Sequence, residues 1–507
     1  MHRPSFISSE ASGYSYFCAL WVAIGSLLWG YDSGIFSTAQ AQDYFMHQFH
    51  PNPSMLGGII SIYTAGGAIG SLFSGIVGDR FGRRGTIQIG AVIAAIGTAM
   101  QTAAQETILL LVGRLIAGLA IGLIYFAIPM FQSEIAPASH RGTFVGLHAQ
   151  FIGFGYMTSN WVGYGISFAS GEVTYRFPVG LQVLWALLVL VGSYWLPESP
   201  RWLISKDRHD EAEKVLKRLR KSDIDPATVR KELVQMQDQI SWERQNEEKS
   251  LIAIWRKPSY RKRLIIGCLT HIGQQICGIS AINYYQTVMY RSLGISGSTV
   301  LLLAGVWGLT GPLANIFCLM FIIDRFNRRT ILLWGSAALA VDIAIVQAMV
   351  AVYGGSNNVV ANAFGIFFLL LFGIIFSLSW NSACPLYATE IFPTQIRATG
   401  GALATFCSFA IQVVLAQASP VALNNIGWRY YFFFIAMNVA TGIIVFFMFP
   451  ETKGKTLEEI SEVFGDPFVT LHMDEDLKRP MDEEETGEKR VENAPDSGRA
   501  QTVSEAK

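Results

Sequence analysis

Long apolar runs without a single charge limit the possible fold more than any other feature of this sequence. The stretches 86–104, 179–196, 364–379 and 430–449 contain no Asp, Glu, Lys or Arg. A helix of about 20 apolar residues spans the ~30 Å hydrocarbon core of a bilayer, whereas a surface helix of a soluble protein carries a polar face. Charged residues make up 15% of the chain, against about 25% in soluble proteins. The runs therefore predict a polytopic membrane protein.

Twelve apolar runs can be marked off between charged residues, glycines and prolines. They predict an all-α membrane protein with twelve transmembrane helices in two six-helix bundles. The predicted spans are 14–34, 56–77, 86–103, 108–130, 143–168, 178–196, 264–290, 299–322, 330–353, 361–386, 399–422 and 429–449.

The Lys and Arg residues are distributed unevenly among the predicted loops. If both termini are cytoplasmic, 34 of the 38 fall in cytoplasmic segments, and Arg176, Arg291 and Arg429 lie at the outer side. Arg114 is left inside the fourth span. By the positive-inside rule, this bias predicts cytoplasmic termini. We expect a multi-pass protein of the plasma membrane.

The two halves of the chain repeat each other. Three motifs recur in the same order, which indicates duplication of a six-helix unit. Parallel repeats of this kind place a substrate site between the halves near the membrane midplane. The repeated motifs are GDRFGRR at 78–84 and IDRFNRR at 323–329, SEIAP at 133–137 and TEIFP at 389–393, and Pro-Glu at 197–198 and 450–451.

A charged segment separates the halves. Its residues Ala212, Val215, Leu216 and Leu219 fall on one helical face, which predicts an amphipathic helix lying under the bundles. A soluble catalytic domain is the alternative, but the segment has no Gly-rich loop or Cys/His cluster. The expected domains are a cytoplasmic N-terminus at 1–13, a first bundle at 14–197, a cytoplasmic loop with amphipathic helices at 198–263, a second bundle at 264–450 and a largely disordered acidic tail at 451–507.

Four motifs resemble those of the sugar porter family of the major facilitator superfamily, which includes glucose facilitators and proton–sugar symporters. The ending NIGWRYY at 425–431 resembles fungal members, including lactose-permease-like ones. The resemblance implies the major facilitator fold and secondary active transport of a mono- or disaccharide or a polyol by alternating access. The four motifs are GDRFGRR at 78–84, PESPRW at 197–202, QQICGI at 274–279 followed by Tyr284 and Tyr285, and PETKGKT at 450–456.

Asp32 lies late in the first span, and an acid at membrane depth is by default a functional hypothesis. Arg114 is its natural counter-ion. In proton-coupled sugar porters an Asp at this place pairs with such an Arg, so the resemblance implies that Asp32 and Arg114 couple transport to protons. The alternative is that Asp32 lies near the outer interface and is solvated or a helix cap. Asp342, in the ninth span, is interpreted as satisfied by packing or fortuitous.

The charged motifs after spans 2 and 8 face acids at the ends of spans 4 and 10. The resemblance implies ion pairs that close the cytoplasmic side in the outward-open state and break in the other. The alternative is that the Arg residues only anchor the topology, which leaves the paired acids unexplained. The predicted latch residues are Asp79, Arg83, Glu134, Arg141, Glu198, Asp324, Arg328, Glu390 and Arg397.

Gln274 and Gln275 in the seventh span offer amide donors and acceptors that match sugar hydroxyls. In the family this pair binds substrate; the alternative is hydrogen bonding between helices, which is common for membrane Gln. The predicted substrate contacts are Gln150, Gln274, Gln275, Ser280, Asn283, Tyr284 and Trp380.

Several of the family's sugar contacts are changed in this sequence. The glutamine of helix 5 falls at Ala149, next to Gln150, and the asparagine of helix 7 is Ser280. The second tryptophan of helix 10 becomes Pro385, and the tryptophan of helix 11 becomes Phe409. The family's helix 8 asparagine becomes Pro312, with Asn315 nearby. The identity of the substrate therefore stays open, since such losses change specificity strongly.

Three functions remain open at this point. The first is a proton-coupled importer of a sugar or polyol. The second is a facilitative uniporter, or a carrier or exporter of another small polyhydroxylated or acidic metabolite. The third is a nutrient sensor. We expect no enzyme activity, cofactor, metal or nucleic acid, and a monomer whose partners are the substrate, the proton and membrane lipid.

Overall fold

The computed structural model describes residues 10–137, 140–246, 251–323, 325–354, 356, 358–453, 460 and 462–465. The first nine residues, Asp324 and the predicted disordered tail from 466 lie outside the described residues. The side chains of Arg141 and Arg397 also lie outside them, so the expectations for these five parts of the chain are not addressed by the structure.

The first bundle begins at the helix α1 and contains six spans. A glycine at 82 separates the second and third spans inside one long helix: its φ is 80°, and a Cβ there would stand 2.3 Å from Glu198 Oε2. Only glycine takes up this left-handed backbone without strain. The helices are α1 (Gly13–Ala39), the short α2 (Asp43–Phe49), α3 (Pro53–Ala103), α4 (Thr107–Ile135), α5 (Arg141–Ile166) and α6 (Val173–Ser193).

The linker between the bundles forms its own small helical cluster. Ala212 and Leu216, on the predicted apolar face, pack against Leu203 and Leu233 of neighbouring linker helices. Leu219, on the same face, instead packs into the first bundle. The apolar face of this helix is therefore covered partly by other linker helices and partly by the first bundle. The helices are α7 (Pro200–Ser205), α8 (His209–Leu219), α9 (Pro226–Asn246) and α10 (Leu251–Arg256).

The second bundle repeats the first. Its first span is broken at Gly278, where φ is 116°, and so consists of two helices. The helices are α11 (Pro258–Ile276), α12 (Ile279–Ser292), α13 (Ser298–Phe321), α14 (Arg328–Tyr353), α15 (Val359–Leu378), α16 (Trp380–Ile391), α17 (Thr394–Ile426) and, after a 3₁₀ turn at Gly427–Tyr430, α18 (Tyr431–Met448).

Among the described residues, nine helical segments are long and apolar enough to cross a membrane. Two of them, Pro53–Ala103 and Thr399–Met448, each hold two spans. Helix α5 supplies the remaining span. The twelve spans lie where the sequence predicts them, and the expected all-α membrane fold is confirmed.

Close packing of α3 on α4 depends on glycines that face each other. A Cβ on Gly66 would lie 2.5 Å from Leu115 O, and one on Gly118 would lie 2.0 Å from Tyr63 O. Because lipid tails are as apolar as the helix surfaces, the hydrophobic effect does not drive helices together in a membrane. Small residues allow the backbones to approach closely and so to gain van der Waals contacts.

We predict that Gly118→Ala lowers the melting temperature of the purified protein, because the added methyl group forces the two helices apart. Overpacking of this kind costs about 1–3 kcal/mol. Gly75→Ala is the matched control, since no atom lies within 4 Å of a Cβ at that position of α3. Equal melting temperatures for both variants in detergent would contradict the proposed packing.

Candidate functional site

A buried ion pair joins α1 to α4 in the first bundle. Arg114 Nη1 lies 2.6 Å from Asp32 Oδ1, and the two side chains are 0% and 1% exposed. Arg114 Nε donates to the carbonyl of Ile59 at 3.0 Å. The guanidinium carbon stands 3.9 Å from the ring centroid of Phe36 and 4.3 Å from that of Tyr63. Aromatic faces on the cation compensate part of its lost hydration.

This pair is tight but incompletely satisfied. Asp32 Oδ2 and Arg114 Nη2 are both buried and lack a hydrogen-bond partner in the described structure. The alternative that Asp32 is solvated near the outer interface is therefore wrong. Its carboxylate depends on a single cation, and one oxygen remains free to accept a proton.

Four of the predicted substrate contacts lie together on α11 and α12. Ser280 Oγ donates to Gln275 Oε1 at 2.6 Å, and Gln275 Nε2 donates to Gln274 Oε1 at 3.4 Å. Asn283 Oδ1 accepts from Trp307 Nε1 at 3.0 Å. Gln274, Gln275 and Asn283 each keep part of their surface accessible. Neighbouring side chains thus orient these amides, and part of each side chain stays accessible.

Gln150 connects the two bundles. Its Oε1 accepts from Asn315 Nδ2 at 3.0 Å, and its Nε2 donates to the carbonyl of Pro312 at 3.4 Å. Ser382 Oγ donates to Asn315 Oδ1 at 2.8 Å. Asn315 is a site residue that the sequence prediction left out, although a buried Asn in an apolar span is a signal in itself.

Tyr284 also lies between the bundles. Its hydroxyl donates to Gln412 Oε1 on α17 at 3.2 Å, and its carbonyl accepts from Gln40 Nε2 on α1 at 2.6 Å. The residue therefore links the end of α1 to the second bundle.

Trp380, the remaining predicted substrate contact, is completely buried in this structure, and its role stays a prediction. The side chain is 0% exposed, and its indole nitrogen donates to Ser336 Oγ on α14 at 3.2 Å. Its ring packs against Gly273 and Gly335. A buried indole N–H needs an acceptor, and Ser336 holds this one in the core of the second bundle.

An aromatic cluster that the sequence analysis missed lies around Tyr125 of α4. The ring centroid of Tyr125 is 4.9 Å from Trp29, 5.1 Å from His148 and 5.7 Å from Phe409. His148 Nδ1 lies 2.7 Å from Ser26 Oγ. Phe409 belongs to the second bundle, so the cluster crosses the boundary between the halves. Of its members, the sequence analysis named only Phe409, as a position where the family has tryptophan.

We call the end of the bundles that carries residues 198–256 the linker face, and the opposite end, which carries residues 40–52, the far face. Near the far face several hydrogen bonds cross between the halves. They include Thr287 Oγ1 to Ser37 O at 3.0 Å, Arg291 Nη2 to Ala41 O at 3.1 Å and Ser61 Oγ to Gln417 Oε1 at 3.0 Å. The far face is therefore closed in this structure.

At the linker face, the first predicted ion pair is formed, and its role as a latch stays a prediction. Arg83 Nη2 lies 3.0 Å from Glu134 Oε1, and both side chains are nearly buried. Glu198 Oε1 accepts from the backbone N–H of Arg83 at 2.8 Å and of Arg84 at 3.2 Å. Burial raises the pKa of the Glu198 carboxyl, and these N–H groups offset part of that effect. Asp79 lies 3.7 Å from Arg83 but is 83% exposed, so it contributes little.

The second bundle repeats this arrangement. Arg328 Nε lies 3.5 Å from Glu390 Oε1, and Thr452 Oγ1 donates to Glu390 Oε2 at 2.5 Å. Glu451 accepts from the backbone N–H of Arg328 and Arg329, as Glu198 does in the first half. Both ion pairs join helices of a single bundle and are formed while the far face is closed. Neither pair by itself ties the halves together.

Asp342 on α14 departs from the first of its two interpretations, that packing satisfies it. Both carboxyl oxygens are buried and have no hydrogen-bond partner among the described residues, so packing does not satisfy this acid.

We predict that Glu134→Gln destabilises the protein, because it leaves Arg83 as a buried cation without its charge partner. Breaking a buried pair costs about 3–5 kcal/mol, which a lower melting temperature reports. The latch role predicts in addition that the accessibility of a cysteine introduced at the linker face rises, because the resemblance implies that these pairs close that face. Asp79→Asn is the control, and an unchanged melting temperature and labelling rate in Glu134→Gln would reduce Glu134 to a topology anchor.

Comparisons with known proteins agree with this architecture. A family model described as "Sugar (and other) transporter" matches residues 18–464. The MFS-type transporter criB of Aspergillus cristatus is 37% identical over 460 residues, which are 90% of this chain and 94% of that protein. The high-affinity glucose transporter of Kluyveromyces lactis is 32% identical over 468 residues, 87% of this chain and 84% of that protein.

The fold is similar to a structure of the proton:xylose symporter XylE of E. coli bound to 6-bromo-6-deoxy-D-glucose. The TM-score is 0.74 at 24% identity, and the match covers 90% of this chain and 100% of the other. The resemblance identified from the motifs is thereby confirmed. The chain belongs to the sugar transporter family of the major facilitator superfamily and is a multi-pass membrane transporter.

Proposed function

We propose that this transporter is a proton-coupled symporter of a sugar or polyol that works by alternating access. The observation that supports the proposal most is the buried pair of Asp32 and Arg114, 2.6 Å apart. An ion pair buried in a low dielectric carries a large desolvation cost. Charged residues inside a membrane span are therefore candidates for a functional role.

The proton chemistry follows from the unpartnered oxygen of Asp32. While Arg114 Nη1 is bound, the ionised carboxylate is stabilised by the cation. If a movement of α1 or α4 draws the guanidinium away, an unpaired charge remains buried, and proton uptake on the carboxyl removes it. The positive charge of Arg114 stays partly stabilised by the carbonyl of Ile59 and by the rings of Phe36 and Tyr63.

The same helix links this pair to the contacts between the halves. Ser37 and Gln40 follow Asp32 on α1 by five and eight residues, which is about 8–12 Å at 1.5 Å per residue. The carbonyl of Ser37 accepts a hydrogen bond from Thr287 of α12, and the side chain of Gln40 donates one to the carbonyl of Tyr284 on the same helix. Opening of the far face must break these bonds, each worth about 0.5–1.5 kcal/mol, so a change at Asp32 can bias which face opens.

Sugar-like substrates fit the polar groups between the halves. Amides of Gln150, Gln274, Gln275 and Asn283 supply both donors and acceptors, which hydroxyl groups require. The relatives named as a glucose transporter and a xylose symporter support this substrate class.

A second candidate is a carrier or exporter of another small polyhydroxylated or acidic metabolite. Pro385 and Phe409 replace tryptophans of the family, and the cluster of Trp29, Tyr125 and His148 provides a different aromatic surface. Uptake by reconstituted protein from a panel of labelled sugars, polyols and hydroxy acids, with and without a pH gradient, decides between the two.

We further propose that the linker face is cytoplasmic and that the protein acts as a monomer in the plasma membrane. The excess of Lys and Arg on the segments of that face supports the orientation.

The coupling prediction concerns Asp32→Asn, which mimics the protonated carboxyl permanently. The variant should bind substrate and exchange it across the membrane but fail to concentrate it when the outside is acidified. Wild type should accumulate substrate in proteoliposomes and lose this ability when an ionophore collapses the gradient. Asp210→Asn, which changes an exposed acid on α8 outside every predicted site, is the control and should accumulate normally. Accumulation by Asp32→Asn, or wild-type uptake indifferent to the gradient, would refute coupling through Asp32.

The binding prediction is that Gln275→Ala weakens substrate affinity by up to about tenfold, since a lost hydrogen bond to a hydroxyl costs ~0.5–1.5 kcal/mol. Asn424→Ala truncates an exposed amide at the end of α17 and should leave affinity unchanged. Substrate affinity is measured by titration of the purified protein, and the variants are compared only if their melting temperatures equal that of wild type. An unaltered affinity in Gln275→Ala would remove α11 from the site.

A further inference from the structure

A groove between α14 and α18 opens on the outer surface of the second bundle, away from the boundary between the halves. Its volume is about 420 Å³. Ala337, Ala340 and Gly442 line its centre, while Ile443 and Phe447 on its rim are exposed. Because these residues lie inside predicted spans, hydrocarbon chains rather than water meet this surface.

The wall of the groove offers apolar surface even where its residues are polar. Ser336 Oγ donates to Leu332 O and accepts from Trp380 Nε1. Asn438 Nδ2 donates to the carbonyls of Cys277 and Phe434, each at 2.9 Å. These polar groups are turned toward the protein. Gly442 has no side chain to fill the groove. A Cβ at this position would stand 3.5 Å from Ser336 Cβ, in ordinary van der Waals contact with the facing helix.

A cation stands at the linker-face end of the groove. Arg329 precedes Leu333, a lining residue, by one helical turn, and its guanidinium carbon lies 5.3 Å from the ring centroid of Phe446. Its Nη2 donates to Phe446 O, and its Nε is buried and has no hydrogen-bond partner in the described structure, so the lipid-facing part of the cation is the outer edge of the guanidinium. Glu451 beside it is held by the backbone N–H of Arg328 and Arg329.

Residues around this cation are those of a membrane interface. Trp334, next to the groove on α14, is 73% exposed, and aromatic and basic side chains anchor spans at the level of lipid headgroups. The depth of Arg329 therefore matches that of a phosphate, and the apolar groove extends from it toward the membrane centre.

We infer that this groove binds one acyl chain of an anionic glycerophospholipid, with the lipid phosphate beside Arg329. The shape accommodates a flexible hydrocarbon chain, and the cation selects the negative headgroup. A cation near an anionic lipid surface contributes about 1 kcal/mol, which corresponds to roughly fivefold preference over a zwitterionic lipid. The site is independent of what the protein transports.

Photo-crosslinking of the full-length protein in phosphatidylcholine nanodiscs tests the site. Two probes carry the same diazirine-bearing acyl chain, one on phosphatidylserine and one on phosphatidylcholine, and labelled peptides are mapped by mass spectrometry. The serine probe should label residues 333–340 and 438–447 about fivefold more than the choline probe. Gly442→Leu should abolish this labelling by filling the groove, whereas Gly75→Leu, which adds the same side chain in open space on α3, should not.

The charge is tested separately. Arg329→Gln should make the two probes label the groove equally, while Arg325→Gln, a cation near the same face whose guanidinium lies over Phe321, should keep the preference. Equal labelling of wild type by both probes would overturn the anionic-lipid site, as would labelling that survives Gly442→Leu. Loss of labelling on addition of a 3β-hydroxysterol would overturn it in favour of a sterol, and protein–protein crosslinks through the groove would do so in favour of a second copy.

Discussion

A carboxylate and a guanidinium that touch where no water reaches set the conditions for the rest of the first bundle. Asp32 and Arg114 need each other because either charge alone would be uncompensated in a low dielectric. Helices α1 and α4 are therefore held in one relation, and Ile59, Phe36 and Tyr63 are placed to complete the surroundings of the cation. One carboxyl oxygen has no hydrogen-bond partner in the described structure, and this oxygen is the one on which the proposed protonation would occur.

The repeated linker-face pairs stabilise a different level of the molecule. Two ion pairs, Arg83 with Glu134 and Arg328 with Glu390, each join helices inside one bundle. In the first bundle, Glu198 also accepts a hydrogen bond from the backbone N–H of Arg83, next to the turn at Gly82. Each bundle is thus a unit with its own internal ties. Several of the contacts between the units are neutral hydrogen bonds, such as Gln40 with Tyr284 and Gln150 with Asn315. Neutral bonds of about 1 kcal/mol can be exchanged during a conformational change far more cheaply than buried ion pairs.

Residues of the candidate site divide by how local their signals are. Gln274, Gln275, Ser280 and Asn283 lie close together in the sequence and also in the structure, because a broken helix at Gly278 presents them in succession. Trp380 carries the same kind of signal, yet it packs into the core, since Ser336 on a distant helix accepts its indole proton. Asn315 and Tyr125 were missed for the converse reason: their partners come from other helices and other halves of the chain.

The sequence by itself determined the membrane environment, the twelve spans, the duplication of six helices and the family, because charge-free length, Lys/Arg bias and motifs are properties of local segments. It also pointed to Asp32 and Arg114, since a charge inside an apolar span is conspicuous without any structure. Tertiary structure alone decided that these two charges are completely buried together, that Asp342 has no hydrogen-bond partner among the described residues, and that the linker-face pairs stay within one bundle. It also created the groove between α14 and α18. The physical reason is that burial, pairing and grooves arise where helices distant in the sequence meet, and no local pattern specifies which faces come into contact.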